Sequence, residues 1–153
     1  MAPARPSRDA EDGLVGGVEV LPFGFLVFVA GALLIANAWA VIDAKMTVNA
    51  ASREAGRAYV EADDVGEAED AAAAAALQTV ENAGRDPDRL RLTDNDPAFV
   101  RCEVVIHEAT YDVPALSIPF IGGFGSGFAV RGSHREMIDP FATGLGEEHS
   151  CVP

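Results

Sequence analysis

Hydrophobic and polar positions follow three successive rhythms along this chain. From Val20 to Ile42 run 23 residues without a charge, bounded by Glu19 and Asp43. A helix rises about 1.5 Å per residue, so this stretch reaches roughly 35 Å. The hydrocarbon core of a bilayer is about 30 Å thick, and the segment spans it with modest tilt. A helical period follows. Ala44, Val48, Ala51, Ala55, Ala58 and Ala62 step by fours and threes along a narrow stripe of small side chains. Past residue 88 the period shortens to two. Arg89 to Thr93 alternates, and so does Phe99 to Asp112, with Val100, Cys102, Val104 and Ile106 on one parity and Arg101, Glu103, Val105 and His107 on the other. This predicts a strand whose first, apolar parity faces a core. Phe128 to Ile138 is a second long strand.

Punctuation sets the limits of these elements. No proline occurs between Pro22 and Pro87, so one helix is expected from about Val18 to Val60. Its small residues suit close packing against copies of itself or a neighbouring helix. An acid-rich stretch, residues 61–70, then breaks the pattern. Asp64 is placed to cap a second helix over Val65 to Asn82, with Glu67 as reciprocal partner. Ala71 to Ala76 favours that helix, and Ala83-Gly84 followed by Pro87 ends it. Between the long strands, VPALSIPFIGGFGSG carries two prolines and four glycines and predicts a wide turn or hydrophobic loop. The expected fold class is α+β: a long N-terminal transmembrane helix continuing beyond the membrane, a second helix, and a small antiparallel sheet of about three strands. The expected organisation is a disordered leader over 1–13, the long helix over 14–62 with its transmembrane part at 20–42, a small α+β domain over 63–140, and a flexible tail over 141–153.

Charge narrows the function classes. The 153 residues carry a formal net charge of −13. Residues 1–42 contribute two basic and four acidic side chains, and residues 43–153 contribute nine and twenty. A body this acidic repels phosphate backbones, so no nucleic-acid partner is expected. The two cysteines, Cys102 and Cys151, are either a disulfide outside the cytoplasm or two ordinary thiols within it.

Candidate chemistry is sparse. The glycines at 122–127 miss the dinucleotide fingerprint, because Phe128 stands at the third required position and a strand follows. His107, His134 and His149 with the two cysteines lack the close paired spacing of structural zinc sites. No catalytic residue, metal or cofactor is expected, and the chain reads as no enzyme. Leu116, Ile118, Phe120, Ile121 and Phe124 in the glycine-rich loop are either core filling for a thin sheet or a contact surface for another subunit. Glu19 stands at the entrance to the apolar run. It is either an interfacial acid or a carboxylate that pairs with a cation when the helix leaves lipid.

A polar leader, Gly13, then Glu19 and the apolar run from Val20 resemble the N-terminus of type IV pilin-like proteins. The text AASREAGRAYV (Ala50 to Val60) resembles the helix of TadE-like pilus assembly proteins. So do a long strand, the VPxxSIPFIGG loop (Val113 to Gly123), and a second strand ending in Asp139-Pro140. The resemblance implies a minor pilin or pseudopilin of a Flp (Tad) pilus, in the cytoplasmic membrane with a single pass and its C-terminal domain extracytoplasmic. Its partners would be other pilin-like subunits and the pilus assembly machinery. A prepilin peptidase would cut between Gly13 and Leu14, and Glu19 would pair with the freed amine of a neighbouring subunit. The spacing departs from the family in one respect: after such a cut Glu19 is the sixth residue, where the family places it fifth. Arg5 and Arg8 before the helix, against Lys45, Arg53 and Arg57 after it, give no positive-inside signal for a cytoplasmic N-terminus. Two other classes stay open. One is a single-pass anchored binding or adaptor protein. The other is a secreted binding domain released at Ala36-Asn37-Ala38, with Trp39 as first residue.

Overall fold

The computed structural model describes residues 20–114, 117–118, 122–123, 127–145 and 151. It is α+β. Helix α1 (Val20–Val60) is followed by α2 (Val65–Asn82), a 3-10 turn (Pro87–Arg89), and strands β1 (Leu90–Thr93), β2 (Val104–Val113), β3 (Ser117–Ile118), β4 (Gly122–Gly123) and β5 (Phe128–Met137). The chain divides into two units, one ending at Trp39 and one starting at Ala40, and α1 contributes to both.

In the first unit α1 is helical without interruption from Val20, and none of its residues there is buried among the described residues. Leu21, Phe23, Phe25, Phe28, Leu34, Ile35 and Trp39 are all exposed. Asn37 returns its side-chain amide to the Leu33 carbonyl at 3.0 Å, which leaves this polar group partly satisfied by its own helix.

The second unit is two helices on one face of an antiparallel sheet of order β1-β2-β5. Strands β2 and β5 pair along their full length, from Val104↔Met137 to Val113↔Phe128. Strand β1 pairs the other edge of β2 from Leu90↔Tyr111 to Thr93↔Glu108. The core joins Ala44, Val48, Ala51, Ala55 and Tyr59 of α1 to Ala68, Ala72, Ala76 and Val80 of α2 and to Val105, Ala109, Tyr111, Val113 and Val130 of the sheet. Alanines at four-residue steps on α2 keep that helix close to the layer beneath. Gly132 does the same for α1. A Cβ there would lie 2.5 Å from Asn49 Oδ1, 2.8 Å from Asn49 N and 2.9 Å from the Val48 carbonyl carbon.

Helix α2 has the bounds its punctuation predicts. Asp64 Oδ1 accepts from Glu67 N at 2.9 Å. The reciprocal bond falls one residue earlier than expected, from Asp63 N to Glu67 Oε2 at 3.2 Å. At the far end Gly84 adopts φ +69. Its N–H donates to Glu81 O at 2.8 Å and the Arg85 N–H to Val80 O at 3.1 Å, the paired bonds of a Schellman cap.

The small-residue stripe of α1 shares its core with a neighbouring helix, α2, one of the two packings its spacing suits, and with the sheet. It drifts, so that Ser52, Gly56 and Tyr59 are buried while Ala58 and Ala62 are only half-buried. One expectation needs correction, the facing of β2. It begins at Val104, and its buried parity is Val105, His107, Ala109, Tyr111 and Val113, the opposite of the predicted one. Residues 99–103 form a bend and turn, with Cys102 at φ +66 and Glu103 N donating to Val100 O. Cys102 therefore does not lie on an apolar strand face. A period of two has no memory across a turn, and one residue of offset exchanges the faces.

Residues 140–145 open the tail expected to be loosely held from Pro140, and they make contacts with the domain. Phe141 N donates to Asp139 Oδ1 at 2.8 Å, Arg101 Nε donates to Ala142 O at 2.7 Å, and Leu145 packs on the core. Gly13, Leu14, Glu19, Leu116, Phe120, Ile121, Phe124 and His149 lie outside the described residues, and for Ile118 the structure describes the backbone alone, paired with Gly122.

Candidate functional site

The apolar part of α1 is the first candidate. Its most apolar 18-residue window has a mean hydropathy of 2.4 and none of it is buried. A helix of this length and composition is able to cross a membrane. Trp39, 71% exposed, stands three residues before the apolar run ends. An indole there suits the boundary between hydrocarbon and headgroups.

Where the domain begins, three elements are stapled by one side chain. The Schellman cap of α2 turns the chain at Gly84 and sends Arg85 back toward α1. Its guanidinium Nη2 donates to Asp43 Oδ2 at 2.6 Å and to the Ala40 carbonyl at 3.2 Å. The same group lies over the Tyr111 ring of β2, 5.4 Å from the centroid. The Arg85 side chain is 14% exposed, whereas Asp43 is more than half exposed. Desolvation on the arginine side makes both the hydrogen bonds and the cation–π contact stronger than at an open surface. Lys45 Nζ adds a second tie, donating to the Arg131 carbonyl of β5. Sequence reasoning missed Arg85. The available signal was its position directly after a left-handed glycine at a helix end.

A second cluster sits deeper, between α1 and the sheet. His107 is buried, and its ring meets Tyr59 edge-on with centroids 5.3 Å apart; Tyr59 in turn meets Phe99 at 5.5 Å. His134 stands directly opposite His107 in the β2–β5 register, with its Nε2 2.8 Å from Glu136 Oε2. Burial pushes the His107 pKa below its ordinary value, with His134 acting in the same direction and Asp94 against it. Burial, then Asp94, Glu69 and Asp96, push the Tyr59 phenol up.

Cys102 and Cys151 are paired, with Cα atoms 5.2 Å apart. The bridge ties the turn before β2 to the C-terminal end of the described chain. Among the described residues no group of three or more His, Cys, Asp or Glu side chains gathers as metal ligands. The clefts described are open grooves, such as the one between α1 and α2 lined by Ala50, Glu54, Ala75, Gln78, Thr79 and Asn82.

Comparison with protein-family models, with curated proteins and with solved structures returns no match to this chain.

Proposed function

We propose that the chain is a single-pass membrane protein of the TadE-like, pilin-related kind, a minor component of a Tad (Flp) pilus assembly system that acts by helix packing and protein contacts. The observation that carries this reading is the continuity of α1. One helix is apolar with no buried residue over its first half, and its second half supplies Ala44, Val48, Ala51, Ala55 and Tyr59 to the core of an α+β domain. An exposed apolar surface of that extent needs lipid or other helices around it. The Cys102–Cys151 pairing supports an oxidising location for the domain, outside the cytoplasm. No catalytic step is assigned to it.

Membrane fractionation followed by intact-mass measurement tests the proposal. The expected result is a polypeptide that needs detergent for release and begins at or near Leu14, as prepilin-type processing predicts. Recovery with Trp39 as first residue would reduce the chain to a secreted domain. A full-length species freely soluble without detergent would overturn the membrane reading altogether.

A further inference from the structure

We propose that His107 is a pH-sensitive latch on the seam between α1 and the sheet, closed while its imidazole is neutral and loosened when the ring is protonated. This does not rest on the pilus reading. His107 lies within β2, 1% exposed, between Val105 and Ala109 on the buried face. Its Nδ1 is buried without a hydrogen-bond partner among the described residues. That atom faces Gly56 of α1, where a Cβ would lie 3.9 Å from it and 3.4 Å from His134 Cδ2. A glycine at this position lets the helix settle directly on both imidazoles.

The groups around the ring decide which state fits. From α1 comes the Tyr59 phenol, whose own surroundings include Glu69 of α2. From β5 come His134 and Glu136, and Glu136 is already engaged by His134 Nε2. From the segment after β1 comes Asp94, the one of these groups that favours a proton on His107, with Asp96 two residues further on. Burial outweighs Asp94, so the neutral ring is the one the fold accommodates. A protonated ring must bury a second N–H that has no acceptor among the described residues.

The sign follows from linkage. A histidine whose folded-state pKa is lowered contributes its full stabilisation above the unfolded-state value of about 6.5. That contribution is lost as pH falls from there toward the lower folded-state pKa, where the unfolded form binds more protons. With one proton linked, the opening constant of the seam rises by up to about tenfold per pH unit over that window.

The test uses the full chain in detergent micelles. Amide hydrogen-exchange protection factors are measured at Tyr59 and across Val105 to Ala109 between pH 7.5 and 5, beside an NMR titration of the imidazoles. The expected result is a His107 that titrates below 6.5 and a protection loss approaching tenfold per unit beneath that pH. In His107→Phe, which keeps a ring against Tyr59, the acid-dependent loss should shrink. A His107 that titrates at or above 6.5 overturns the latch, and so does an equal loss of protection in His107→Phe. Should that variant not fold, the imidazole titration of the unaltered chain decides alone.

Discussion

At single positions, what matters most is how closely backbone meets backbone. Gly132 is the tightest case, because a Cβ there would meet the main chain of Asn49 and Val48 as well as the Asn49 side-chain oxygen, and the main chain cannot swing aside. Gly132→Ala should therefore force α1 off β5 and cost about 1–3 kcal/mol, the range for overpacking a filled site. A shift of the denaturant midpoint without a change in slope is the expected reading. An unchanged midpoint would mean that the helix and strand are not held at this distance in solution. Residue-level reading of the sequence was uneven for a physical reason. Asp64 and Gly84 announce themselves, because caps are local and their chemistry is satisfied within a few residues. His107 and Arg85 do not, since burial of the one and the partners of the other come from residues tens of positions away.

Among elements, α2 was legible to its end residues, whereas the facing of β2 was not. Both parities of residues 99–113 carry apolar side chains, and only the packing of α1 and α2 selects Val105, Ala109, Tyr111 and Val113 for the interior. The alanine stripe of α1 was visible, but periodicity does not say whether the covering surface belongs to the same chain. Arg85 is the element-level test. It joins the exit of α2 to α1 and to the Tyr111 ring of β2. Arg85→Ala should destabilise the domain by about 1–3 kcal/mol through lost charge-assisted bonds, the cation–π contact and a buried stem. Arg85→Lys should recover part of that loss, since a point charge cannot reach both oxygens and cover the ring in one geometry. If both variants melt like the parent chain in calorimetry, the staple has no energetic weight. The exposed Arg57–Glu61 pair is the natural control, and its removal should leave the midpoint where it was.

Over the whole molecule, the α+β class and the candidate membrane helix were legible because both depend on length and gross periodicity. The identity of any partner was not, because contact surfaces between proteins carry no period of their own. The cysteine pair has a consequence for how the chain bears load. Cys102 and Cys151 are 49 residues apart in sequence, and the covalent link between them encloses β2 and β5. Tension applied between the two ends of the polypeptide passes through sulfur and bypasses the long hairpin. Stretching by optical tweezers should release about 160 Å less contour length from the oxidised chain than from the reduced one, at about 3.3–3.6 Å for each of the sequestered residues. Equal extension in the two redox states would show that the bond is not formed. A protein pulled from one end while rooted at the other would then keep its hairpin folded as a mechanical fuse that never blows.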